Sequence, residues 1–371
     1  MMLRVLHTAD WHIGSFPGPE VGGENARLKD IETCLGALVR EASVERPDLA
    51  VISGDVFHQA RVWSDRGLRE ARIAIQYIED LSRTGCHVCV LRGTPNHDSE
   101  EQFNMLHAYF DGRDDVTIMD KPDVYHFLLD THDGPLNVDV AAIPGFDRGV
   151  YRAKHPGLSK EEEAQVFTEE IAKLVIGLKA ECIPGIPCIL STHFTVIGAN
   201  TESGQTQLFA QYEPVIEPAT LAAADYDLVC LGHIHRPQQL DGCRNTFYSG
   251  AVSGLNFNDE GQERGFYIHD IHAETRDGGP LNCIDSRFIP LPTREFMTVR
   301  LDDQKIAVIN ADGPSLVGNL NWNRNADGKI VRVLYDCTDE HNKALNKSLL
   351  EKPSMMPGPF GSRKSPRRKS P

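Results

Sequence analysis

The chain has 371 residues, of which 40% are hydrophobic and 25% charged, and a formal net charge of −15. That length accommodates one large domain of about 250–300 residues plus a smaller module. The acidity excludes a protein whose whole surface grips nucleic acid, since such affinity comes from phosphate neutralisation by Lys and Arg, and no apolar run is long enough to encode a membrane span.

The apolar part of Met1–His7 is too short for a signal peptide, so the cytoplasm is the expected compartment. Leu3 to Thr8 reads as a short strand ending in a polar loop. From Arg27 to Arg46 the apolar residues Leu28, Ile31, Leu35, Leu38, Val39 and Ala42 recur at helical spacing. Leu49 to Ser53 reads as a buried strand. Ser64 is placed to cap a helix through Arg83, with Leu68, Ala71, Ile75, Ile78 and Leu81 on one face. A strand at His87 to Arg92 follows, then short strands near Val116 and Val138 and a helix from about Lys160 to Ala180. Strands at Pro187 to Ser191 and Tyr226 to Leu231 lead into β-rich sequence up to Phe288. The alternation predicts a layered α/β domain over residues 1–290, built on a largely parallel central sheet that turns more antiparallel late.

A small α+β module is expected over 291–352, with strands at Phe296 to Leu301 and Lys329 to Tyr335 and a helix at Asp339 to Leu350. Residues 353–371 hold Pro-Gly-Pro and a basic Ser-Pro repeat with little apolar content, which predicts a disordered basic tail. Codons for Pro353 to Gly361, read one base earlier, can encode sequence that continues the module, so a frameshift is expected to have truncated it. The nine cysteines show no framework spacing. Cys86 and Cys89 form a Cys-x-x-Cys inside an apolar strand, and all nine are expected to be reduced and structural.

Five short motifs each follow a predicted strand: Asp10-Trp11-His12, Gly54-Asp55-Val56-Phe57-His58, Asn96-His97-Asp98, His193 and Gly232-His233-Ile234-His235. In open α/β sheets, sites assemble beyond the carboxyl ends of the strands, so these loops are expected to converge. Carboxylate, amide and imidazole donors without cysteine select Mn, Fe or Zn over Ca and Mg and disfavour a structural zinc. In an extended segment residues i and i+2 point the same way, so both side chains of Asp-x-His or His-x-His reach one cluster. Gly54 lets the backbone approach the ions, and a carboxylate such as Asp55 is the natural bridge between two cations. The other histidines, among them His7, His87, His107 and His269, are read as structural.

The ordered set of motifs resembles the calcineurin-like metallophosphoesterase superfamily. Thr8 to Gly14, Ser53 to His58, Leu231 to Gln238 and Tyr248-Ser249-Gly250-Ala251 resemble the SbcD family of DNA-repair exonucleases within it, over residues 1 to about 351. The resemblance implies the layered α/β metallophosphoesterase fold, with central β-sheets flanked by helices and a small, truncated α+β C-terminal capping module. It assigns one metal to Asp10, His12, Asp55 and His235 and a second to Asp55, Asn96, His193 and His233. It makes His97 the catalytic histidine and puts His58 near the substrate; Asp98 is expected to orient His97 or to cap the following helix. It further implies two Mn2+ ions, DNA as substrate, an SbcC-type ATPase partner, a homodimer, 3′-to-5′ exonuclease action on duplex ends and endonuclease action on hairpins or single strands. The family has Gly immediately before Asn-His, whereas here Gly93-Thr94-Pro95 precedes Asn96, so the loop is expected to be reshaped. Arg61, Arg66, Arg69 and Arg72 are candidates for phosphate contacts. The competing readings are a phosphatase or cyclic-nucleotide phosphodiesterase on the same ligands, and a non-catalytic scaffold subunit.

Overall fold

The computed structural model describes residues 2–61, 64–145, 147–201, 214–276, 279–312, 326, 328–347 and 364–366. Two compact units divide the chain: one of Met1–Ser15, Ile31–Ser253 and Glu263–Pro292, the other of Phe16–Asp30, Gly254–Gln262 and Thr293–Pro371.

The first unit holds twelve main strands in chain order: β1 Met2–Thr8, β2 Leu49–Ile52, β3 His87–Leu91, β4 Val116–Met119, β5 Asp123–Thr131, β6 Gly134–Ile143, β7 Cys188–Thr192, β8 Leu228–Leu231, β9 Gln238–Gln239, β10 Thr246–Tyr248, β11 Gly265–Arg276 and β12 Gly279–Pro290. The strand pattern alone suggests one central sheet, whereas the family resemblance implies layered central sheets; the structure has two, each of six strands, ordered β12-β11-β1-β2-β3-β4 and β9-β10-β8-β7-β6-β5. Both are mixed. In the first, β1 to β4 run parallel and β11 and β12 add antiparallel pairs. The second has a parallel centre of β10, β8, β7 and β6 with an antiparallel strand at either edge. A strand pattern reads the same whichever sheet it joins, so this partition was not visible in the sequence.

The central strands β2, β7 and β8 are buried at every position, as expected of parallel strands covered on both faces. Alternate residues then fill two separate cores. Leu3, Val5, Leu49 and Val51 of the first sheet meet Val138, Val140, Ile189, Leu228 and Phe247 of the second. Residues of the second sheet with the opposite parity, including Ile143, Leu190, Val229 and Leu231, pack with Ile171, Val175, Leu178 and Leu221.

The helices start where the sequence supplies caps. Helix α1, Ala26–Glu45, matches the periodic stretch, and its residues from Ile31 on belong to this unit. In α2, Asp65–Ser82, Ser64 accepts from the Gly67 N–H. Helices α3, Glu100–Phe110, and α5, Lys160–Glu181, begin with capping boxes of Ser99 with Gln102 and Ser159 with Glu162; α4 covers Arg148–Lys154 and α6 Pro218–Ala224. The buried face of α2 is rotated from the expected one. Gly67, Glu70, Ala71, Ala74, Ile78 and Leu81 point inward while Leu68 is exposed, because buried Glu70 is turned in to pair with Arg61 at 3.1 Å.

Cys86 and Cys89 are buried free thiols that burial pushes up, in keeping with a structural role. The expectation that all nine cysteines are reduced is overturned at one pair: a disulfide joins Cys182, at the end of α5, to Cys188, which opens β7, with Cα atoms 6.5 Å apart. Only the turn between helix and strand brings them together.

The second unit has its own small core of Val299, Leu301, Ile306, Ile309, Val331, Val333 and Tyr335. Strand β13, Phe296–Leu301, runs parallel to β14, Ile330–Tyr335, flanked in sequence by α7, Asp303–Asp312, and α8, Asp339–Ala344. Asp30 is gripped by Arg294 through both carboxylate oxygens at 2.8–3.0 Å. Of the expected basic tail, Lys364–Pro366 forms β15 beside Val333–Tyr335; the rest, and the expected helix beyond 347, lie outside the described residues.

His7 shares the inward face of β1 with Leu3 and Val5 and lies 5.7 Å, ring to ring, from His269, both fully buried. Burial lowers His7 from 6.5 to about 3 and holds His269 well below its ordinary value. Both rings are therefore neutral in the fold, while the unfolded chain protonates them below about pH 6.5. With folded values below unfolded ones, this stability is complete above about pH 6.5 and is lost as pH falls toward about 3, at up to about 1.4 kcal/mol per pH unit and ring. The His7→Leu variant is expected to show a shallower loss of guanidinium unfolding midpoint than the parent between about pH 7 and pH 5; equal slopes would refute the assignment.

Candidate metal centre

The motif loops leave the carboxyl ends of β1, β2 and β3 in one sheet and β7 and β8 in the other. Backbone hydrogen bonds zip the loops after β1 and β2 together: Asp10 N–H donates to Gly54 O at 2.9 Å, His12 to Asp55 O at 3.0 Å and Ile13 to Val56 O at 2.9 Å. Gly232 N–H reaches Thr192 O at 3.1 Å and Gly145 N–H reaches Arg92 O at 2.8 Å, tying the remaining loops in the same way.

Four of the expected site residues hold left-handed backbone: Asp10 at φ 51°, His12 at 46°, Asp55 at 52° and His233 at 87°. Such conformations cost on the order of 1–3 kcal/mol each and persist where surroundings over-determine them, commonly at functional sites. The loops also demand glycines. A Cβ on Gly93 would lie 2.1 Å from the Asp55 nitrogen and 2.2 Å from its Oδ1, one on Gly54 2.5 Å from His193 Nδ1, and one on Gly232 2.0 Å from Ser53 O.

Asp10, Asp55, His12 and His193 are buried and their polar atoms converge. His193 Nε2 is 3.2 Å from Asp55 Oδ2 and 3.9 Å from Asp10 Oδ1. His12 Nε2 is 3.1 Å from His235 Nε2 and 4.0 Å from oxygens of both aspartates. His233 donates its backbone N–H to both Asp10 oxygens at 3.1 and 3.2 Å, and its ring lies 5.3 Å from that of His193. Asn96 sits in the turn after β3, its side chain exposed and its carbonyl accepting from Ala60 N–H at 3.0 Å. Among the described residues three groups, Asp10-His12-His235, Asp10-Asp55-His193 and His12-His58-His97, each bring three donor atoms within 4.8 Å of one another.

These residues fit divalent cations on structural grounds. Two imidazole nitrogens meet tip to tip beside two buried carboxylates, and the buried Nδ1 atoms of His12 and His235 have no hydrogen-bond partner among the described residues. The protein alone already separates the charges. Burial raises Asp10 to about 6, lowers His235 to about 3 and holds His12 well below its ordinary value. Burial opposes charge on Asp55 too, but His193, His97 and His12 outweigh it and keep the carboxyl well below the usual range. On His193 the same contest ends with Asp55 and Asp10 raising the ring to about 10 despite burial.

His97 lies at the rim, half-exposed, its Nε2 3.9 Å from Asp55 Oδ2 and its ring 4.6 Å from that of His12. His58 stacks at 6.0 Å from His97, and its backbone carbonyl holds His97 Nδ1 at 2.6 Å. Asp98 does neither of the things expected of it. Ser99 caps α3, and the Asp98 oxygens accept backbone N–H groups from Gly93 at 2.8 Å, Phe57 at 3.0 Å and Val56 at 3.2 Å. It fastens the Asp55 loop to the Gly93 loop, and burial, with the charge of Asp55, raises it to about 7.

Sequence reasoning missed several supporting groups. Ser53 O holds His193 Nδ1 at 2.6 Å, Thr94 donates to Asp55, and fully buried Arg264 donates to the His235 carbonyl. Backbone carbonyls leave no mark in a sequence; Gly93, just before the altered loop, was the one available signal. Replacing Gly93 with Ala is expected to push the Asp55 loop aside and weaken divalent-cation uptake about 10–100-fold, measured by equilibrium dialysis; parental uptake with an unchanged melting curve would count against this geometry.

Residues 3–237 match the calcineurin-like phosphoesterase family. The chain is similar to the SbcD component of the SbcCD nuclease of Escherichia coli (strain K12), 24% identical over 328 residues that cover 86% of this chain and 73% of that protein. It is similar to the SbcD component of the same nuclease from Staphylococcus epidermidis, 23% identical over 310 residues, 82% of this chain and 74% of that one. Among solved structures it is similar to the calcineurin-like phosphoesterase YfkN from Bacillus subtilis, 13% identical with a TM-score of 0.41, covering 78% of this chain and 90% of that one.

Proposed function

We propose, from the premise that this chain belongs to the calcineurin-like phosphoesterase family and is a metal-dependent phosphoester hydrolase, that its substrate is DNA and that it is the nuclease component of a double-strand-break-processing complex. The observation that carries this reading is the extent of the likeness to the SbcD component of the SbcCD nuclease. That alignment spans 328 residues, well beyond residues 3–237 that carry the family's shared domain, so sequence after that domain is shared as well.

In this reading Asp10, His12, Asp55 and His235 hold one divalent cation and Asp55, Asn96, His193 and His233 a second, with Mn2+ suited to the mixed oxygen and nitrogen donors. When bound, such a pair supplies a hydroxide nucleophile near neutral pH and positive charge beside the phosphate oxygens. The chain's own residues do the rest. The neutral rings of His12 and His235 offer lone pairs, and the ionised carboxylate of Asp55 stands between them and His193. The His58 carbonyl fixes the proton of His97 on Nδ1, so Nε2 is the nitrogen aimed at the cluster; when protonated it gives that proton to the leaving alkoxide. His58 flanks the approach to His97. Exposed Arg66 and Arg72 offer phosphate contacts, whereas Arg61 is committed to Glu70. The 3′-to-5′ polarity, hairpin and single-strand cleavage, an SbcC-type ATPase partner, a homodimer, a capping role for the second unit and a cytoplasmic location belong to the same reading.

End-labelled duplex DNA incubated with the protein and Mn2+ is expected to be degraded, with chelator abolishing the reaction. Cleavage of p-nitrophenyl phosphate with no action on DNA would replace the nuclease by a phosphatase. His97→Ala is expected to lose about 10²–10⁴-fold in rate while retaining its metal; an unchanged rate would remove His97 from the reaction.

A further inference from the structure

The two oxygens of Asp55 live in different surroundings. Oδ2 faces His193, His97 and His12 at 3.2, 3.9 and 4.0 Å. Oδ1 faces away from them and accepts two hydrogen bonds from one residue, the Thr94 N–H at 2.7 Å and the Thr94 hydroxyl at 2.9 Å. We infer that Thr94 is a positioning residue of the metal centre, engaging Asp55 Oδ1 so that Oδ2 is the oxygen left facing His193, His97 and His12, of which His193 and His12 would hold cations. The inference deepens the two-cation reading and rests on it.

A carboxylate is free to rotate and to exchange its oxygens unless one of them is held. A carboxylate can bridge two cations through one oxygen or through both, and side chains that hold one oxygen set the ligand's orientation and basicity. Three features of this loop make Thr94 suited to that task. Gly93 has no side chain, and any Cβ there would collide with Asp55 Oδ1, so the chain is able to bring Thr94 close. Pro95 biases Thr94 to an extended backbone, which limits where its N–H points. Asp98 binds Gly93 on one side and Val56 and Phe57 on the other, fixing the distance between the Thr94 and Asp55 loops. Any residue but proline at 94 would supply the N–H; the hydroxyl requires Thr or Ser.

The test compares the parent with Thr94→Val, which keeps shape and loses only the hydroxyl, and Thr94→Ser, which restores it. Mn2+ titration by calorimetry, with free Mn2+ followed by electron paramagnetic resonance, reads affinity and stoichiometry; melting of the chelator-treated proteins reads stability without metal. Thr94→Val is expected to bind Mn2+ about 10–100-fold more weakly, with metal-free melting close to the parent, and Thr94→Ser to recover most of the affinity. Parental affinity in Thr94→Val, or an equal loss in Thr94→Ser, overturns the role of the hydroxyl. A large fall in metal-free melting that accounts for the weaker binding overturns it too, since the residue would then serve the fold at large. A parent that binds two Mn2+ while Thr94→Val is unaffected sinks this inference alone; a parent that takes up no Mn2+ sinks the two-cation reading and this inference with it.

Discussion

Asp55 is an ionised carboxylate held away from water, and the architecture around it is arranged to keep it so. A buried charge without partners is strongly disfavoured, yet His193, His97 and His12 surround one oxygen and Thr94 holds the other. Its backbone is left-handed, as are those of Asp10, His12 and His233. The strain is held by the hydrogen bonds between the first two motif loops and by Asp98, whose buried carboxyl gathers three backbone N–H groups from the loops on either side. The contacts between the first two motif loops join backbone to backbone, and the Asp98 contacts each have a backbone N–H on one side, which side-chain rotation cannot move.

The two sheets explain how residues as far apart in sequence as Asp10 and His235 bring donor atoms within 4.8 Å of each other. Their central strands are buried on both faces and pack through a shared apolar core. That core sets the spacing of the strand ends, and the strand ends set the spacing of the loops. Glycines at 54, 93 and 232 then let those loops approach more closely than any side chain would permit. Each level removes freedom left by the one before: packing places the loops to a few ångströms, and hydrogen bonds place the donor atoms.

The net charge of −15 constrains how any polyanionic substrate approaches. An overall negative balance disfavours attraction of a polyanion through the surface as a whole, so in the proposed reading bound cations and the exposed arginines of α2 would supply the local attraction. The second unit, with its own core and its own ion pairs, is a folded body in its own right within the described residues.

The sequence by itself determined the strands β1, β2, β3, β7 and β8, the helices α1, α2 and α5, the capping of α2 and the identity of the motif residues; helices α3, α4, α6 and α7 and strand β5 were not legible in it. The legible features are local properties: apolar periodicity, a serine at a helix start, a short-range Asp-x-His or His-x-His. Only the tertiary structure decided that there are two sheets, that Leu68 is exposed while Glu70 is buried, and that Cys182 and Cys188 are joined. It alone showed that Asp98 serves two loops instead of His97, and that carbonyls of Ser53 and His58 orient the imidazoles. Those contacts join groups tens or hundreds of residues apart, many of them backbone atoms that every residue possesses, so nothing in the order of side chains distinguishes the atoms that take part from those that do not.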